Sequence, residues 1–118
     1  MGVHIAAAME AIALGIKSGI DAETLFEVIT LSAGNSLIFE DRVPHVLNHD
    51  YTPKSAVDIF VKDLGIVLNA GKRESFPLPV STAAFKQFVA ANVMGLGGED
   101  DAAVIKVYGA LSGIKLPD

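Results

Sequence analysis

Apolar residues return every three or four positions along nearly the whole chain, and the strict alternation of a half-buried strand is scarce. The leading segment, Gly2 to Lys17, is apolar almost all round, with Val3, Ile5, Met9, Ile12 and Leu14 set among five alanines. Alanine and the other good helix formers carry little conformational penalty. The pattern therefore predicts a helix that must be covered on most sides, by a core or by another subunit, with Gly19 as its stop. Asp21 is placed to cap a second helix bearing Leu25, Phe26, Val28, Ile29 and Leu31, which Ser32-Ala33-Gly34-Asn35 breaks. Ser36 can cap a short helix to about Arg42, and Pro44 can open another that ends near Asn48-His49-Asp50. Tyr51-Thr52-Pro53-Lys54 reads as an extended link, because Pro53 disfavours helix at Thr52.

Ala56, Ile59, Phe60, Leu64, Val67 and Leu68 then recur at helical spacing from about Ser55 to Ala70, followed by a turn over Gly71 to Ser75. Pro77 and Pro79 open a helix to about Met94, and Gly95-Leu96-Gly97-Gly98 interrupts it. The acidic run Glu99-Asp100-Asp101 suits the positive end of a last helix, roughly Asp101 to Leu111, which Gly113 ends. The prediction is an all-α helical bundle of roughly five to seven helices, one domain over residues 1–118.

Composition narrows the function. Hydrophobic residues at 51% and charged residues at 19% exclude a disordered tail. Fourteen acidic residues against nine basic ones leave a net charge of −5, without the positive field that nucleic acid requires. With no cysteine, disulfides, thiol catalysis and Cys-type zinc sites drop out, which fits a reducing cytoplasm. His4, Glu10, Lys17 and Ser18 interrupt the most apolar stretch, short of the ~20 apolar residues of a membrane span. The opening Met-Gly-Val-His lacks the basic start of a secretory signal. A cytoplasmic protein with no membrane partner is expected.

Few residues stand out for chemistry. His45 and His49 are spaced to share a helix face, yet no third ligand accompanies them, so no metal site is predicted. His4 lies on an apolar helix and suits a packing or interface hydrogen bond. Gly95-Leu96-Gly97-Gly98 follows no strand and so lacks the context of a phosphate-binding loop. Glu99-Asp100-Asp101 reads as a capped, solvated helix start. Lys62-Asp63 is the exception, a charged doublet in mid-helix among residues that read as buried. Adjacent positions do not share a helix face, so a simple ion pair does not account for it. Two readings stay open there: a solvated edge, or a cation that neutralises a phosphate or carboxylate.

The order of these segments resembles a known family. Ala8 to Asp21, Asp58-Ile59-Phe60-Val61-Lys62-Asp63-Leu64-Gly65, and Pro77-Leu78-Pro79-Val80 followed by Gly97 to Ile105 are similar to the β-hydroxyacid dehydrogenases. These are the relatives of 3-hydroxyisobutyrate dehydrogenase within the 6-phosphogluconate dehydrogenase superfamily. Ser32-Ala33-Gly34-Asn35-Ser36 and Ser55 to Phe60 are most similar to the branch acting on four-carbon sugar acids such as L-threonate.

The resemblance implies a C-terminal helical domain, the substrate-side and dimer-forming half of an enzyme that moves a hydride between a 3-hydroxy acid and NAD or NADP. By position, Lys62 matches a lysine that approaches the cofactor and Asp63 an acid lining the cleft. Ser55 stands where many members carry a phenylalanine that shapes the substrate pocket, which implies a more polar pocket here. The resemblance also implies that the dinucleotide-binding domain, with its GxGxxG, lies outside these residues. The family's catalytic lysine would fall about two helical turns before Met1, so no residue here takes the catalytic role. These residues alone are then expected neither to turn over hydroxy acids nor to hold a cofactor. A homodimer through the first helix is implied as well. The alternatives are a stand-alone helical association module without catalysis, and an unrelated small-molecule-binding bundle, which would need an enclosed pocket.

Overall fold

A computed structural model describes all 118 residues. Six α-helices follow one another: α1 (Gly2–Lys17), α2 (Ala22–Thr30), α3 (Leu37–Leu47), α4 (Val57–Arg73), α5 (Pro79–Ala91) and α6 (Ile105–Ser112). A π-helical turn, Asn92–Leu96, continues α5, and a 3-10 turn, Asp101–Val104, leads into α6. No helix is long and apolar enough to cross a membrane.

The bundle is built round α1, which touches each of the other helices. Ile5, Met9 and Ile12 are wholly buried on its inner side, one or two turns apart. They meet Val43 and Val46 from α3, Val57 from α4, Phe88 from α5 and Ile105 from α6 in a single apolar core. Phe88 packs on Phe60 of α4 with ring centroids 5.3 Å apart. The expectation that α1 is covered on most sides holds in part, for His4, Ala7, Ala11 and Leu14 form an open strip along its outer face. Gly15 lets α2 come close, since a Cβ there would stand 2.2 Å from the Leu25 side chain.

The predicted caps are formed. The Asp21 carboxylate accepts from the Thr24 N–H at 3.0 Å, and the Ser36 hydroxyl accepts from the Phe39 N–H at 2.9 Å. Gly113 ends α6 in the left-handed region, at φ 69°. Where the pattern predicts two short helices divided near Pro44, the chain runs as one helix, α3, straight through the proline. A proline inside a helix forfeits one hydrogen bond and crowds the preceding turn. Here the helix is held on both sides of it, by buried Val43 and Val46 and by the anchored side chain of Arg42.

Two further boundaries move. α4 starts at Val57 instead of Ser55, because Ala56 forms an antiparallel bridge with Asp100 and the Val57 N–H donates to the Glu99 carbonyl at 2.9 Å. It ends at Arg73 instead of Ala70, where Lys72 and Arg73 favour the negative end of the helix. The helix begun by Pro79 widens at Asn92 and is broken by Gly95, at φ 85°.

Candidate functional site

Lys62 and Asp63 lie on the outer edge of α4, their side chains 67% and 50% exposed. Of the residues around them, Phe60 and Leu64 face the core, while Ile59, Ile66 and Val67 are exposed beside the doublet. The surroundings are thus less buried than the sequence pattern implies. Although adjacent positions do not share a helix face, the Lys62 Nζ reaches the Asp63 Oδ1 at 3.2 Å. The four-carbon stem of lysine is long enough to fold round the helix surface. An exposed pair of this kind contributes little stability.

Ser55 stands just before α4, half-buried, in the irregular segment Tyr51–Ala56. Its carbonyl accepts from the Asp101 N–H at 2.8 Å. The neighbouring Lys54 is held twice: its N–H donates to the Asp100 Oδ1 at 2.9 Å, and its Nζ to the Asp41 Oδ1 at 2.8 Å. One residue into α4, Asp58 accepts from the Asn92 side-chain amide at 2.7 Å, while its own N–H donates to the Gly97 carbonyl at 3.1 Å. The turn after α5 and the start of α4 are therefore tied together beside Ser55.

Beneath this junction the structure departs most from the sequence reading. Asp100 and Asp101 have no exposed side-chain surface, so the acidic run is no solvated helix start. Asp100 still caps the 3-10 turn, its Oδ2 accepting from the Ala102 N–H at 3.0 Å. Asp101 accepts from the Arg42 Nε at 2.8 Å, and Arg42, itself buried, also pairs with Asp41. Burial pushes the Asp101 carboxyl up to about 6; the Arg42 bond opposes this, and the Asp100 charge adds to it. Burial works against the charge on Arg42, but the bond and attraction of Asp101, with Asp100 and Asp41 behind it, more than offset that and raise its pKa. The Tyr51 hydroxyl is pushed up to about 12 by burial and by the charge of Glu99. Lys106 donates to Glu99 at 2.7 Å and lies 4.0 Å from the centre of the Tyr51 ring.

Arg42, Asp41 and Lys54 escape a reading of motifs. Arg42 carried one usable signal: it sits three residues after Phe39 and four before Val46, on the face of α3 that turns inward.

The remaining candidates separate. His45 Nδ1 stands 3.4 Å from the Asp100 Oδ2, whereas His49 Nδ1 lies 3.2 Å from the Pro117 carbonyl, and its ring meets Tyr51 edge-on. The two rings address different partners, and no three His, Asp or Glu side chains are gathered for a metal ion. Gly95 to Gly98 forms the break after α5 and cradles nothing but Asp58. His4 is exposed on the rim of an open groove of about 430 Å³ between α1 and α3, with Asn35, Ser36 and Phe39 opposite. Another depression, about 480 Å³ around Lys72, Phe76 and Thr82, is a surface groove as well.

Lys54, Lys62 and Asp63 thus stand exposed, and the grooves beside His4 and Lys72 are open. Comparisons with known proteins give the family. The chain belongs to the family described as the NAD-binding part of NADP-dependent 3-hydroxyisobutyrate dehydrogenase, whose pattern matches residues 1–108. It is 60% identical over 116 residues to the L-threonate dehydrogenase of Cupriavidus necator, covering 98% of this chain and 38% of that protein. To the 2-(hydroxymethyl)glutarate dehydrogenase of Eubacterium barkeri it is 38% identical, with 98% and 39% covered. Among solved structures it is similar to a 3-hydroxyisobutyrate dehydrogenase from Salmonella typhimurium, with a TM-score of 0.89 and 54% identity over 90% of this chain and 37% of the other. The chain thus spans less than two fifths of the relatives it matches.

Proposed function

We propose that these residues form the helical, substrate-side part of an NAD(P)-dependent β-hydroxyacid dehydrogenase whose substrate is L-threonate or a similar four-carbon sugar acid. The observation that carries this is the 60% identity to an L-threonate dehydrogenase across 98% of the chain. Hydride acceptance at a nicotinamide is the chemistry the cofactor supplies when bound. Within this chain, Lys62 offers a point charge to an anionic group of that cofactor, a role its exposed and weakly held ammonium fits. Asp63 keeps that ammonium on the cleft side of α4. Ser55 presents a hydroxyl in place of a bulky ring, which suits a substrate with several hydroxyls to satisfy. A dinucleotide-binding body packed over α4 would exclude water from between these residues. We also propose a homodimer through α1, where Ala7 and Ala11 would let a second copy's helix approach closely between His4 and Leu14, and residence in the cytoplasm.

The test is a chimera in which these 118 residues replace the corresponding 38% of the C. necator enzyme. It should oxidise L-threonate within about tenfold of the parent kcat/KM, whereas these residues alone should not. Lys62→Ala in the chimera should raise the cofactor KM several-fold and leave the hydroxy-acid KM unchanged. A folded chimera without turnover would refute the enzymatic reading. Retained dimerisation in that case would favour an association module.

A further inference from the structure

The buried acids have no part in the chemistry above, yet they hold the segment that carries Ser55. We propose that Asp100 is a positioning residue, whose buried carboxylate fixes the segment Tyr51–Ala56 and so sets where Ser55 meets the hydroxy acid. The inference rests on the dehydrogenase reading and adds to it a residue that touches neither substrate nor cofactor.

The segment has no regular structure of its own and contains Pro53, which cannot donate a backbone hydrogen bond. Asp50 accepts from the Thr52 N–H at 3.0 Å and Asp41 holds the Lys54 ammonium, but most of the segment's backbone bonds go to one short stretch of chain opposite. The Asp100 N–H donates to the Tyr51 carbonyl at 2.9 Å and the Asp101 N–H to the Ser55 carbonyl at 2.8 Å, while the Glu99 carbonyl accepts from Val57. The Asp100 side chain closes the middle, its Oδ1 accepting from the Lys54 N–H at 2.9 Å and its Oδ2 from the Ala102 N–H at 3.0 Å.

The choice of residue is informative. Capping the 3-10 turn alone would be done as well by serine or asparagine, without burying a charge. Two backbone donors on two different segments need two acceptor atoms, and a carboxylate has them; an asparagine would turn its amide group toward one N–H. Arg42 and His45 reach in from α3 and Lys54 from the segment itself, while Lys106 of α6 is engaged by Glu99. Asp101, Asp41 and the Tyr51 hydroxyl complete the set of titratable groups around it. A loop residue fixed in this way is pre-organised, and misplacement of a binding wall shows in substrate affinity before it shows in folding.

Amide exchange on the 118-residue chain tests the clamp directly. The wild-type Lys54 amide should exchange at least about 100-fold more slowly than in an unstructured peptide; an unprotected amide would overturn the proposal without any variant. Asp100→Asn should speed exchange at Lys54 about tenfold or more beyond any change in global stability. Asp101→Asn, equally buried but with no side-chain bond to the segment, should not. In the chimera, Asp100→Asn should raise the L-threonate KM about tenfold, with the cofactor KM within about twofold. An active chimera whose L-threonate KM ignores Asp100→Asn would refute the positioning role. An inactive wild-type chimera would remove the dehydrogenase reading and the substrate role with it, and the exchange result would still decide the clamp.

Discussion

Acidifying this protein from pH 7 toward 4.5 should strengthen its fold, and Asp101 is the reason. Its carboxyl is wholly buried, and burial raises its pKa from 3.8 to about 6 against the opposing bond from Arg42. One of its oxygens, Oδ2, has no hydrogen-bond partner. A proton placed there gains an acceptor in the Asp100 carboxylate, a bond that itself favours protonation. At pH 7 the group is ionised whether the chain is folded or not, so the full cost of burying its charge is present. As pH falls through about 6 the folded state takes up a proton that the unfolded state does not bind until near 3.8, and stability rises across that window. The distance from 3.8 to about 6, at about 1.4 kcal/mol per unit, sets the gain at up to ~3 kcal/mol. Asp21, Asp41 and Asp50 have lowered pKa values, from hydrogen bonds to Thr24, Lys54 and Thr52 respectively. Their stabilisation is lost only below 3.8, outside the window. Urea unfolding of wild type and Asp101→Asn at pH 7, 6, 5 and 4.5 measures the effect. The wild type should gain and the variant should stay flat. A flat wild-type profile would refute the reasoning. An equal gain in both would assign the proton elsewhere, and His45→Gln would then test the ring that stands beside Asp100.

Two other outcomes are expected. A Cβ on Gly97 would stand 2.5 Å from the Asp58 carboxylate, so Gly97→Ala should displace it from Asn92 and cost about 1–3 kcal/mol in urea unfolding; adding Asp58→Ala should cost less than the two single changes summed. If α1 is the dimer face, Leu14→Glu should shift sedimentation toward monomer with the helical circular-dichroism spectrum unchanged, and an unaltered dimer would place the interface elsewhere.

The helices were legible because their signals are local. Asp21 and Ser36 cap the segments they precede, and Gly113 ends the last one, since each acts on backbone groups within a few positions of itself. Pro44 misleads for the complementary reason. Its effect on the helix is local, but whether the helix survives depends on Val43, Val46 and Arg42 being held by distant parts of the chain. At the candidate site, the position of Lys62 and Asp63 on one helix follows from their place among the apolar residues of α4. Their degree of exposure does not, because Ile59 and Val67 read as core and lie outside it.

The acidic run marks where local reasoning stops. Glu99-Asp100-Asp101 before an apolar helix obeys the rule for a capped start, and Asp100 does cap the 3-10 turn. The rule is silent on burial, because solvated and buried acids satisfy the same amides. What separates the cases is the partner across the fold, and Arg42 lies 59 positions from Asp101. An acid whose charge is buried at a cost, opposite a buried arginine and beneath an irregular segment, contributes to geometry more than to stability. The two carboxylates differ: Asp101 carries the charge whose burial costs stability at neutral pH, while Asp100 accepts from the Lys54 N–H and holds Tyr51–Ala56. Asp101→Asn should therefore strengthen the fold and leave the wall in place, whereas Asp100→Asn should loosen the wall.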